Sequence, residues 1–277
     1  MCPFIYDIIL FMYNQFYTLT ESPFNITSDP SFFFPSSRHE EAFTHLIYGI
    51  ESRKGILVIT GEIGTGKTTL CRALLNKLDD HTKTALILNP SFSELQLLQM
   101  IVKDLGIYVR KNNKLELVEA INKFLLEQSA RGNNVAIVID ESQNLNIRQL
   151  EQIRLLSNLE TEKEKLLQII LVGQPELLDK LNNQALRQLN QRVTVRYHIL
   201  PLKLEEVGAY INHRLTTAGA DKRLTFTDAA IKAVYENSGG TPRLINILCD
   251  RALLAGFVQE SYTITDTIIS QCAMEVK

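Results

Sequence analysis

The chain of 277 residues is long enough for a core domain plus a smaller companion. Its 45% hydrophobic and 22% charged residues are ordinary globular values and exclude a disordered, collagen-like or heptad-built protein. A formal net charge of -2, from 29 basic and 31 acidic side chains, leaves no overall basic excess that would point to nucleic acid.

The first zone, residues 1–49, holds 12 of the 21 Phe and Tyr residues. With Pro23, Pro30 and Pro35 it is expected to be an irregular aromatic wrap, either a cap packed on the main domain or a partner-docking face. Its apolar stretch Phe4 to Tyr13 is interrupted by Asp7 and falls short of the roughly 20 residues a spanning helix needs. No Lys or Arg precedes Arg38, so the basic start of a signal peptide is missing. The chain is therefore expected to stay on the side of the membrane where it is made, in the cytoplasm. Cys2, Cys71, Cys249 and Cys272 form no CxxC pair and read as reduced core thiols.

The second zone, residues 50–201, alternates short apolar runs with helical stripes. Ile56–Ile59, Thr84–Leu88, Val135–Ile139 and Leu167–Val172 are nearly continuous in apolar residues, as strands of a parallel sheet covered on both faces must be. Val193–Ile199 alternates instead and predicts an edge strand. Between them, Leu70, Leu74, Leu75 and Leu78 share a helix face. Leu95, Leu98, Ile101, Val102 and Leu105 share another, opened by a Ser93–Gln96 capping box. Leu150, Ile153, Leu156 and Leu159 form a third. Strand–helix repetition predicts a doubly wound α/β core of five strands. The third zone, residues 202–277, reads as helices only.

Between the first strand and the first helix of this zone lie Gly61, Glu62, Ile63, Gly64, Thr65, Gly66, Lys67 and Thr68, which match the phosphate-loop pattern G-x-x-x-x-G-K-[ST]. The glycines permit backbone angles that aim successive N–H groups at one anion, and the N-terminus of the helix that follows favours negative charge, with Thr69 the last of the expected nucleotide-binding residues here. Lys67 is a cation in a first turn, against the helix dipole; a bound polyphosphate turns that misfit into attraction. Thr68 is the expected Mg²⁺ ligand.

Asp140 and Glu141 end the buried run Val135–Ile139, where loops line the ligand crevice of a parallel sheet. Asp140 is expected to hold the Mg²⁺ shell and Glu141 to deprotonate an attacking water. Gln174, just beyond the fourth strand, either contacts the γ-phosphate or that water, or is a turn residue before Pro175. Arg192 is the candidate arginine finger acting in trans, with Arg187 as the other choice; the bland alternative is an arginine satisfying helix-end carbonyls. In the third zone Gly239 and Gly240 end a helix, Thr241 caps the next and Pro242 starts it. Arg243 is then a second cation in a first turn, explained by nucleotide or by an ion pair to Glu236 or Asp250.

Several segments together resemble the AAA+ ATPases of the general secretory pathway protein A (ExeA-type) family. They are Phe16–Phe24 with Ser28-Asp29-Pro30, the phosphate loop, Asp140–Leu145, Leu150–Thr161, Gly173–Leu177 and Pro242–Asn246. The resemblance covers about Met12 to Phe257. Ser31–His39 and Leu70-Cys71-Arg72 look similar to the MSHA-pilus biogenesis (MshM-like) branch. Ser142 stands where the family usually has Ala. The resemblance implies an AAA+ P-loop core with a C-terminal helical lid and binding and hydrolysis of ATP with Mg²⁺. It also implies a ring-like homo-oligomer, a hexamer, that serves pilus or type II secretion components. Longer family members carry a membrane helix and a peptidoglycan-binding domain after the lid; with this chain stopping at Lys277, direct peptidoglycan binding is not expected of it. Residues 1–11, ahead of the similarity, read as a start-site artefact or a lineage-specific extension.

Two other readings compete. One is a DNA-associated AAA+ module, a transposition adaptor or initiator-like protein. Against it, residues 202–277 hold eight basic and nine acidic side chains, so DNA is not the expected partner. The other is a nucleotide-gated scaffold with little turnover.

Overall fold

The computed structural model describes residues 13–88, 90, 93–162 and 164–275; Cys2 and the apolar stretch as far as Met12 lie outside them. The chain divides into two compact units.

The first unit runs from Ser37 to Ile63 and from Lys67 to Ile199. Its elements in chain order are α1 (Ser37–Glu51), β1 (Ile56–Gly61), α2 (Lys67–Lys77), β2 (Thr82–Ile87), α3 (Glu94–Asp104), α4 (Lys114–Ala130), β3 (Asn134–Ile139), α5 (Ile147–Leu156), β4 (Gln168–Gly173), α6 (Glu176–Leu181), α7 (Arg187–Asn190) and β5 (Val193–Ile199). The five strands form one sheet in the order β2-β3-β4-β1-β5, and every pairing is parallel. β1 and β4 are buried at every residue, because both faces of the central strands are covered; this is why their sequences read as unbroken apolar runs. β5 lies at one edge and alternates in exposure, as expected.

The core joins Ile56, Val58, Ile137, Ile139, Ile169 and Leu171 of the strands to Leu97, Leu98 and Ile101 of α3, Leu117, Ile121 and Leu125 of α4, and Leu150 and Ile153 of α5. The Ser93–Gln96 capping box forms in both directions, at 3.3 and 2.8 Å. A second box, Asn146 with Gln149, starts α5. The register pairs Thr60 with Gly173 and Ile139 with Leu171, so the chain leaves β1, β3 and β4 at the same end of the sheet.

The second unit comprises residues 13–36, Gly64–Gly66 and 200–275 of the described chain. Its helices are α8 (Leu204–Thr217), α9 (Asp228–Ser238), α10 (Pro242–Val258) and α11 (Asp266–Met274), with two short strands, β6 (Thr225–Phe226) and β7 (Thr263–Ile264). That parallel pair corrects the helices-only expectation; two-residue strands are too short to leave a period in the sequence.

The aromatic wrap also departs from expectation. Residues 1–49 were expected as one segment, but α1 belongs with the sheet while residues 13–36 belong with the helices. Tyr13, Tyr17, Phe24 and Phe32 share a core with Tyr210, Ile211, Leu253 and Ile269. Tyr17 Oη donates to Leu253 O and Ser261 O at 3.1 and 3.0 Å. Buried Arg214 donates to Pro23 O and Asn25 O at 2.6 and 2.8 Å. The Arg214 bonds give the irregular segment partners for its backbone carbonyls, and the Tyr17 bonds tie it to the chain around α10.

Candidate phosphate and acid site

The loop after β1 places its functional groups by local geometry. Gly64 and Gly66 take positive φ, 81° and 90°, a conformation that side chains resist. Gly61 needs no such freedom: it is the last residue of β1, paired with Ile199. Gly64 is itself part of the second unit; a Cβ on it would stand 2.6 Å from Arg243 Cβ, and Arg243 N donates to Gly64 O at 3.2 Å.

Lys67 opens α2 and is buried. Its Nζ donates to Gly61 O and Glu62 O at 2.7 and 2.8 Å. Burial pushes its pKa below the usual lysine range, opposed by Glu141, Asp140 and Glu62. The misfit cation is thus held by carbonyl dipoles inside an acidic setting. Such a group is placed to meet an anion at the loop.

Thr68 Oγ1 donates to Asp140 Oδ2 at 2.5 Å, joining the loop to the end of β3. Asp140 is 2% exposed. Burial raises its pKa, against hydrogen bonds from Thr68 and from Glu141 N, the latter at 2.9 Å. A hydroxyl and a buried carboxylate in contact form an all-oxygen donor set, which suits Mg²⁺. No metal-binding group of three or more His, Cys, Asp or Glu occurs among the described residues. The fit therefore rests on two protein oxygens, with phosphate and water completing the shell, as is usual for this ion.

Glu141 follows in left-handed backbone, φ 52°. Its Oε2 accepts from Gln143 Nε2 at 2.5 Å and from Gln174 Nε2 at 3.4 Å. Gln174, expected either at the reacting end or as a mere turn residue, is thereby brought to the acidic pair from the end of β4. Two further residues join it that sequence reasoning did not single out. Gln143 Oε1 accepts from Gln174 N at 3.1 Å. Lys180 Nζ donates to Gln143 O and Leu145 O at 2.5 and 2.8 Å. Gly173 makes room for this arrangement, since a Cβ there would stand 2.8 Å from Gln143 Oε1.

The arginines separate. Arg192 lies just before β5, at the opposite end of that strand from its partner Gly61. It donates to Ser157 Oγ at 3.3 Å and to the Asn158 side chain, not to helix-end carbonyls. That capping role falls to Arg196, which donates to Asn190 O at 2.9 Å. Arg187 is exposed on α7. Arg243 occupies the first turn of α10 after Pro242. Thr241 holds the capping position without a side-chain bond. The ion pair considered for Arg243 is not found among the described residues: Glu236 faces Lys232 instead, at 3.8 Å.

A parallel sheet in this order, with a phosphate loop after β1 and an acidic pair after β3, is the core of an AAA+ P-loop NTPase, and the AAA domain family matches residues 50–181. Solved structures share the fold. Cdc6p from Pyrobaculum aerophilum superposes with a TM-score of 0.70 at 18% identity, over 90% of this chain and 71% of that one. The Aeropyrum pernix ORC2 protein, solved as ADPNP–ADP complexes, gives 0.65 at 14% identity, over 87% of this chain and 67% of that one. The Thermotoga maritima RuvB branch migration motor gives 0.57 at 18%, over 86% and 68%. Within the AAA+ class the chain is similar in sequence to the general secretion pathway protein A (ExeA-type) family. It is 46% identical over 266 residues to General secretion pathway protein A of Aeromonas hydrophila, covering 96% of this chain and 48% of that protein. The chain thus spans about half the length of that relative. No helix among the described residues is long and apolar enough to cross a membrane.

Proposed function

We propose that the chain binds Mg-ATP and hydrolyses it, and that turnover drives assembly of a cell-envelope machine, a type IV or MSHA-like pilus or a type II secretion secretin. The observation that carries the enzymatic reading is the convergence of Lys67, Thr68, Asp140, Glu141 and Gln174 at the ends of β1, β3 and β4. The envelope partner rests on the secretion relative, and this reading places the protein on the cytoplasmic side of the inner membrane.

In this reading the backbone N–H groups from Glu62 to Thr69 and the Lys67 ammonium bind the phosphates. Thr68 and Asp140 would hold Mg²⁺, which would supply charge neutralisation for the phosphates. Glu141 accepts the proton of the attacking water on its carboxylate, and Gln174 orients the reacting end. Arg243 reads the nucleotide charge from the first turn of α10. Arg192 acts on a neighbouring protomer's nucleotide, so full activity requires a ring. Purified protein is expected to release phosphate from ATP. Lys67→Ala should lose both binding and turnover, and Glu141→Gln should keep binding and lose turnover. Equal turnover by wild type and Glu141→Gln would remove Glu141 as the base.

A further inference from the structure

We infer that Gln143 is the positioning residue for the Glu141 carboxylate, a role that rests on Glu141 being the base of the proposed hydrolysis. The two ends of its amide are both committed. Nε2 donates to Glu141 Oε2 at 2.5 Å, and Oε1 accepts from Gln174 N at 3.1 Å. Only one orientation of the amide satisfies a carboxylate on one side and an N–H on the other. Gln143 therefore ties the base to the first backbone N–H beyond β4, that of Gln174. The tie is anchored at its root by Lys180, which donates to Gln143 O.

The consequence is chemical as well as mechanical. Both amide donors, Gln143 and Gln174, engage the same oxygen of Glu141. That oxygen is fixed as an acceptor, and the other carboxylate oxygen is the one left to take a proton from water. A freely rotating glutamate in left-handed backbone would sample many rotamers; this one is held by its neighbours, as general-base geometry requires. Gly173 belongs to the same device, because a side chain there would displace Gln143 Oε1.

Gln143→Glu separates positioning from simple anchoring. Glutamate at 143 can still accept from Gln174 N, so the anchor survives, but it opposes Glu141 with a second carboxylate. ATP turnover and nucleotide affinity would be measured for wild type, Gln143→Ala and Gln143→Glu. Both variants should lose about tenfold or more in kcat with KM and ATP affinity within about twofold of wild type. Retained or raised kcat in Gln143→Glu would overturn the assignment. A second readout is independent of hydrolysis. Gln143→Glu should lower the melting temperature of the ligand-free protein by about 2–4 °C. Glu141→Gln combined with Gln143→Glu, which restores the bond with donor and acceptor exchanged, should return it to the Glu141→Gln value. Failure of that rescue would refute the contact itself. If rescue succeeds while wild-type protein hydrolyses no ATP, the contact stands and the positioning role is overturned together with the hydrolytic reading.

Discussion

Arg214 offers the sharpest test of how the amino-terminal wrap is held. It is 6% exposed and has no carboxylate partner among the described residues. Its guanidinium donates to Pro23 O at 2.6 Å, Asn25 O at 2.8 Å and Tyr210 Oη at 3.3 Å, and lies 4.6 Å from the Phe32 ring centroid. Methionine fills the same space without a donor. Two carbonyls would lose a charged donor, at about 1.5–3 kcal/mol each for hydrogen bonds to charged groups. The cation–ring contact adds about 1 kcal/mol. Removing a buried charge returns part of this, so Arg214→Met should destabilise the second unit by about 2–4 kcal/mol. For a protein of this size that is a fall of about 5–10 °C in Tm, read by calorimetry, with earlier proteolytic cutting within residues 13–36. Arg214→Lys keeps the charge but cannot fork between two carbonyls and a ring, and should fall between the two. An Arg214→Met protein melting within about 1 °C of wild type would refute the idea that the guanidinium holds the wrap.

Asp140 gives a pH prediction. Its folded pKa is raised, chiefly by burial, so between the unfolded value near 3.8 and the folded value the native state holds more protons. Stability then falls as pH rises through that window, and the penalty is fully present above it. Asp140→Asn should therefore melt higher than wild type at pH 7 without nucleotide, lose that advantage toward pH 4, and lose Mg²⁺-dependent turnover; a lower melting point at pH 7 would contradict the burial argument. The finger is tested by mixing. Arg192→Ala should bind ATP and lose turnover, and mixing it with Lys67→Ala should recover activity, because one variant supplies the intact loop and the other the arginine. No recovery on mixing would remove the trans role.

The sheet was legible because its central strands are buried on both faces, which forces Ile56–Ile59 and Val135–Ile139 to be apolar without interruption. The phosphate loop was legible for a different reason: close approach of backbone to an anion tolerates few residue types, and the pattern sits between a strand and a helix. Neither reason extends to residues 13–36. Their partners, such as Arg214 and Leu253, lie some two hundred positions away, and an irregular segment has no period to show which unit it joins. Gln143 and Lys180 were missed because a glutamine in a short turn and a lysine on a short helix look solvated in one dimension. Only the register of β3 against β4, which sets Gly173 beside the turn, brings Gln143 to Glu141 and Lys180 to the turn that carries it.

The left-handed backbone at Glu141 sets two demands against each other at a single position. Glycine would relax that φ at no steric cost and asparagine at little, yet neither can accept a proton from water as a carboxylate does. Substitutions selected for heat resistance alone would thus drift toward a silent protein here, and a screen that scores only folding should find its gains at the residue where the proposed chemistry can least spare them.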